Sequence, residues 1–161
     1  MEINPSLIRD YPAALDRAVR LLAERPRSKK EIRDRLSSAG YDEEVVDLVI
    51  LKLEKEKLLD DQDFAEQWVQ SRSRKYGPAR IRHELRIKGI DQETVQAATE
   101  SMTEQDQLEH AMDAARRKIR SQGNSCDPRK LKQRIIAMLV RKGYSWELAS
   151  KAYDAAMSQD E

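Results

Sequence analysis

Three stretches of this 161-residue chain, residues 32–46, 81–95 and 135–149, superpose without an internal gap. A repeat constrains a fold more tightly than composition does. Each copy has to form the same supersecondary unit and bury its apolar face against a neighbour. Gly40, Gly89 and Gly143 set the register, at offsets of 49 and 54 residues.

Each shared position has a physical task. The pairs Ile32/Leu36, Ile81/Leu85 and Ile135/Leu139 sit four residues apart, on one helix face that must be buried. The glycine four residues after each leucine suits a left-handed helix stop. Tyr41, Ile90 or Tyr144 follows and can fold back on the preceding turn. Asp42, Asp91 or Ser145 then offers an N-cap, with Glu44, Glu93 or Glu147 in the first turn of a new helix. A further amphipathic stripe precedes each unit: Leu15, Ala18, Val19 and Leu22; Phe64, Ala65, Trp68 and Val69; Leu108, Ala111, Met112, Ala115 and Ile119. Pro26, Gly77-Pro78 and Asp127-Pro128 punctuate the joints, and the polar run from Ser121 to Ser125 reads as a longer loop.

The expected fold is all-α, an elongated tandem array of three three-helix repeats with about nine helices and no β-sheet. Its divisions are an N-terminal tail at residues 1–10, then repeats at 11–58, 59–103 and 104–161. Residues 42–56, rich in Val, Leu and Ile, are expected to be buried on more than one side, against the next unit.

Several classes of function are disfavoured. No apolar run approaches the roughly 20 residues of a bilayer span, so no membrane association is expected. The first residues lack a basic and an apolar export region, and the expected location is cytoplasmic. One cysteine, Cys126, and two widely spaced histidines, His83 and His110, make a zinc site improbable, and Cys126 lacks an activating base. Asp60, Asp61 and Asp63 suggest a cation site less than they suggest capping of the Phe64 helix. No phosphate-binding glycine loop, metalloprotease motif or nucleophile elbow is present, so neither an enzyme nor a cofactor is expected.

Charge is the remaining signal. The chain is 37% charged yet nets only +1, which excludes a nonspecific polycation. The near-neutrality is a cancellation between blocks. Residues 42–63 net −6, 72–88 net +6, 91–113 net −7 and 116–142 net +9, with a further basic run from Arg25 to Arg35. Two readings compete. The basic blocks pair with neighbouring acids as solvated faces, or they align as a strip for phosphates or an acidic partner. Arg72, four residues after Trp68, reads equally as packing on that ring while holding an internal acid.

Residues 59–90 carry a resemblance. The run Leu59-Asp60-Asp61-Gln62-Asp63-Phe64-Ala65, then Trp68-Val69, Ser71-Arg72-Ser73-Arg74, Gly77-Pro78-Ala79-Arg80-Ile81-Arg82, Glu84-Leu85 and Lys88-Gly89-Ile90, resembles the signature of RecX, the bacterial regulator of the RecA recombinase. The looser likeness extends over residues 11–158. It implies a non-enzymatic, monomeric regulator that binds RecA nucleoprotein filaments. Such a protein restrains ATP hydrolysis, filament extension, strand exchange and co-protease stimulation in recombination and the SOS response, and it binds single- and double-stranded DNA. A helical-repeat DNA-binding module acting without RecA is the alternative. The expected contact bases are Arg74, Lys75, Arg80, Arg82 and Arg86, extended by Lys130, Lys132, Arg134, Arg141 and Lys142. The expected structural set is Gly40, Gly89, Gly143, Phe64, Trp68, Arg72, Pro78, Ile81 and Leu85.

Overall fold

A computed structural model describes residues 4–122 and 127–158. The protein is all-α. Among the described residues there are nine helices and no strand: α1 (Pro5–Glu24), α2 (Lys29–Ser38), α3 (Glu43–Lys55), α4 (Asp61–Arg72), α5 (Pro78–Ile87), α6 (Gln92–Thr99), α7 (Glu104–Gln122), α8 (Pro128–Arg141) and α9 (Trp146–Ser158).

The repeat is written into the backbone. Gly40, Gly89 and Gly143 have φ of 90°, 78° and 101°, the left-handed region that stops a helix. Ile32/Leu36, Ile81/Leu85 and Ile135/Leu139 are all fully buried. The backbone N–H groups of Tyr41 and Tyr144 donate back to the carbonyls of Leu36 and Leu139, closing the same C-terminal motif in the first and third repeats. Burial pushes the Tyr144 hydroxyl up to about 12. The new helices start on side-chain caps at Asp91, which accepts from Thr94 N–H, and at Ser145, which accepts from Leu148 N–H. Asp42 makes no such side-chain bond, and its carbonyl alone accepts from Val46 N–H. Asp60 caps α4 by accepting from the amides of Gln62 and Asp63.

By packing, the described residues form two compact units, the first from 4–65 and 86–94, the second from 66–85, 95–122 and 127–158. In the first, α1, α2 and α3 enclose Ala14, Ala18, Val45, Val46, Val49 and Leu53. Ser28 is its main polar anchor. Its hydroxyl donates to the Lys88 carbonyl at 2.6 Å and accepts from Glu31 N–H, while the Glu31 carboxylate accepts from Ser28 N–H at 3.0 Å and pairs with Lys88 Nζ at 3.0 Å. Phe64 is buried, with the Lys88 ammonium 5.7 Å from its ring centre. In the second unit, α7, α8 and α9 enclose Ala111, Ala115, Ile135, Leu139, Leu148 and Ala152.

Four local expectations are corrected. The helix α1 begins at Pro5, inside the stretch read as a tail, because Asn4 accepts from Ser6 N–H and Pro5 suits the first helical position. The helix α7 runs on through Ser121 and Gln122, where Ser121 donates back to the Lys118 carbonyl. Ser125 and Cys126 lie outside the described residues. The helix α3 is buried on one side only, against α1 and α2; Leu48 and Leu51 point away, at 44% and 62% exposure. Val19 is likewise exposed, since Ala14 and Ala18 carry the buried face of α1.

Candidate nucleic-acid interface

The helix α4 ends at Arg72, and the chain turns through residues 73–77 before α5. That turn is docked on the end of α8. Gly77 N–H donates to the Lys142 carbonyl at 2.7 Å, and Ala79 N–H donates to the Gly143 carbonyl at 3.1 Å. The approach needs glycine on both sides. A Cβ on Gly77 would sit 2.4 Å from the Gly143 carbonyl carbon, and one on Gly143 would sit 2.5 Å from Arg80 N. Pro78 opens α5 directly at this contact, where no N–H is needed.

Around the junction the side chains form a cation–aromatic stack. Arg72, Arg80 and Lys142 lie 4.5, 4.1 and 5.4 Å from the ring centre of Tyr76. Arg72 also lies 5.4 Å from the Trp68 ring. One carboxylate holds the group together. Glu84 accepts from Arg72 at 2.7 and 3.1 Å, from Trp68 Nε1 at 3.0 Å and from Arg80 Nε at 3.3 Å. Burial alone would raise the Glu84 pKa, but the bonds from Arg72, Trp68 and Arg80 outweigh it and hold the carboxyl below the ordinary range. Arg72 therefore packs on Trp68 and satisfies an internal acid. Arg80 is shared between that acid and the surface.

Beside the stack runs a groove of about 370 Å³ lined by Arg74 and Lys75 from the turn, Arg117 and Lys118 from α7, and Lys142 from the end of α8. Ala114 and Met138 form its floor, and Ser121 adds a hydroxyl. Ala114, Arg117, Lys118 and Ser121 share one helix face by their spacing. Among the described residues no carboxylate lines the groove itself, while Arg74 and Arg117 also border an adjoining pocket that holds Glu109 and Asp113. Among the described residues, Arg74, Lys75, Arg117 and Lys118 have no ion-pair partner. The first basic run differs: Arg25 pairs with Glu31, Arg27 with Glu24, Lys29 with Glu54, Lys30 with Asp34 and Arg33 with Asp47. The solvated-pair reading thus describes the first basic run, whereas the groove cations Arg74, Lys75, Arg117 and Lys118 have no such pairs among the described residues. Converging cations around an acid-free trough form an arrangement suited to a polyanion backbone.

Of the bases named from sequence, Arg74, Lys75 and Lys142 converge on the groove, with Arg80 at its margin on Tyr76. Arg82 is turned away, its Nε donating to Thr99 Oγ1 at 3.1 Å, so it ties α5 to α6. Arg86 is exposed on α5 and falls in the other compact unit. Lys132 pairs with Asp154 at 2.9 Å. Lys130, Arg134 and Arg141 share a separate stripe of α8 and do not line the groove. Arg117, Lys118 and Tyr76 were not singled out from sequence. The legible clue was the spacing of Arg117 and Lys118 against Ala114 within the +9 block.

Fold and groove together define a class: a protein of helical three-helix repeats that exposes a basic trough. Comparison with known proteins narrows the class. Family profiles match in three consecutive pieces, the first three-helix domain of RecX at residues 14–53, the second at 60–98 and the third at 104–153. The chain belongs to the RecX family of regulatory proteins. It is 34% identical over 144 residues to "Regulatory protein RecX" of Mycobacterium marinum (strain ATCC BAA-535 / M), covering 88% of this chain and 83% of that one. It is 35% identical over 141 residues to the same-named protein of Amycolatopsis mediterranei (strain U-32), covering 86% and 80%. The crystal structure of RecX from Lactobacillus salivarius superposes with a TM-score of 0.83 at 25% identity, over 94% of this chain and 97% of that one.

Proposed function

We propose that this chain binds RecA–DNA filaments as a monomer in the cytoplasm and restrains RecA. ATP hydrolysis, filament extension, strand exchange and co-protease stimulation all fall when it is bound, which makes it a brake on recombination and the SOS response. Membership of the regulatory RecX family supports RecA as the target. The observation that carries the site is the acid-free groove of Arg74, Lys75, Arg117, Lys118 and Lys142. In this reading the groove takes DNA phosphates, single- or double-stranded, while other surfaces meet RecA.

The test is RecA's ATP hydrolysis on single-stranded DNA, measured with the chain added at limiting and at saturating DNA. Inhibition that persists when DNA is in excess is the expected result. Inhibition that vanishes with excess DNA would mean simple competition for DNA, the action of a DNA-binding module that needs no RecA. No effect at either DNA level would remove RecA as the target.

A further inference from the structure

The helix α8 carries two apolar stripes where one is enough for its fold. Ile135, Leu139, Leu131 and Met138 pack into the α7–α9 core. Beside it Ala137 and Val140 are exposed, and with the edge of the core residue Ile136 and Trp146 at the start of α9 they form a second apolar surface. Together they line a trough of about 530 Å³. Trp146 is 63% exposed and Val140 42%, so the trough ends in a large aromatic surface left in water. It shares no residue with the basic groove described above.

Its electrostatics say what covers it. The helix α8 carries five bases, Arg129, Lys130, Lys132, Arg134 and Arg141, and no acid. Arg129 and Lys132 line the trough itself, Lys132 already paired with Asp154, and Lys130, Arg134 and Arg141 form the adjoining stripe one residue-width beyond Ala137. An occupant must therefore bring an apolar ridge flanked by anions. The trough spans Arg129 to Val140, about 16 Å or three helical turns at 1.5 Å per residue. Its floor is aliphatic, with Trp146 as the one flat ring, and offers a single platform for base stacking. Aliphatic anchors one turn apart fit the ridge of an amphipathic helix better than successive nucleobases.

We infer that the α8–Trp146 trough is a docking site for an acidic amphipathic helix of about three turns, contributed by a protein partner. The partner's leucine-type side chains seat on Ile136, Val140 and Trp146, and its flanking carboxylates face Arg129 and the Lys130–Arg134–Arg141 stripe. The inference does not depend on RecA being the target.

Trp146 reports on its own site. The chain has two tryptophans, and the Trp68 indole is held by Glu84, so two distinct indole N–H resonances are expected in a two-dimensional nitrogen–proton spectrum. The full chain is titrated with a helix-forming peptide of about 15 residues, leucines at i, i+3, i+4 and i+7 and glutamates elsewhere. The same composition with the leucines spread round the helix, and a thymidylate oligonucleotide, serve as comparators. The expected result is a saturable shift of the Trp146 resonance with the amphipathic peptide, Trp68 unmoved, and affinity reduced roughly tenfold by Val140→Glu. Both Val140 and Trp146 are exposed, so Trp146→Ala, followed by backbone shifts in α8, provides a second reading with little effect on folding. Equal response to the scrambled peptide, an absent shift, or binding by the oligonucleotide at comparable affinity would overturn the assignment, the last in favour of a nucleic-acid face.

Discussion

Replacing Gly143 with alanine tests how the groove is held. Alanine at a positive φ costs about 1–2 kcal/mol wherever it occurs. At Gly40 that is the whole cost, because a Cβ there meets nothing within 4 Å. At Gly143 the Cβ would lie 2.5 Å from Arg80 N, 2.6 Å from Arg80 Cβ and 2.8 Å from the Gly77 carbonyl oxygen. The start of α5 must back away from the end of α8, which stretches the Gly77–Lys142 and Ala79–Gly143 hydrogen bonds, each contributing about 1 kcal/mol. The total for Gly143→Ala is about 3–4 kcal/mol. Gly77→Ala meets the same wall from the other side without the φ penalty and should cost about 2 kcal/mol. Urea unfolding of the three variants should rank Gly143→Ala as most destabilised, then Gly77→Ala, then Gly40→Ala. Gly143→Ala should also release Lys142 from the Tyr76 stack, visible in the tyrosine ring resonances. A Gly40→Ala loss as large as that of Gly143→Ala, or a neutral Gly77→Ala, would refute the close-approach argument.

Other outcomes follow from named contacts. Ser28→Ala removes a helix cap worth about 1 kcal/mol and the donor to the buried Lys88 carbonyl, so a loss of about 2 kcal/mol is expected in chemical denaturation. Glu84 and Glu31 both titrate below their ordinary range in the folded state, each because bonds from cationic and N–H partners outweigh burial. Their stabilisation is therefore complete above the unfolded carboxylate pKa of about 4.3 and is lost as pH falls through the folded values. Glu84→Gln should flatten that acid limb in a pH series of melting curves, and an unchanged limb would contradict it. Lys57 is held at φ 56°, and its replacement by glycine should stabilise the end of α3 by up to about 1 kcal/mol. Binding to single-stranded DNA should weaken with salt along a log–log slope of about −3.5 if all five groove cations neutralise phosphates, and a flat response would exclude phosphate contact.

What could be read in advance was local. The Ile–Leu–Gly cadence, the glycine stops and the caps at Asp91 and Ser145 depend on neighbours within one turn, and spacing alone carries them. Arg72 on Trp68 was likewise visible as an i, i+4 pair. The groove was not, because it needs the turn after α4 to meet the end of α8 some 65 residues later, a contact made by Gly77 and Gly143 with no periodic signature. The Arg82–Thr99 bond was invisible for the same reason, since its two partners lie on different helices. Residues 42–56 promised two buried faces, but composition cannot say how many neighbours a helix has, and Leu48 and Leu51 are left in water. Net charge misled until resolved by position, and even then the blocks did not say which bases were already paired.

In the proposed function this family member restrains RecA through the groove of Arg74, Lys75, Arg117, Lys118 and Lys142. The most direct measurement is inhibition of RecA's ATP hydrolysis at saturating single-stranded DNA by the wild-type chain and by Lys75→Glu/Arg117→Glu, with unfolding curves run alongside. Both side chains are exposed and without ion pairs among the described residues, so the variant should fold as the wild type does. The folded variant is expected to lose most of its inhibition, while Lys130→Glu, on the separate stripe of α8, keeps it. A folded Lys75→Glu/Arg117→Glu protein that inhibits as strongly as the wild type would contradict this reading.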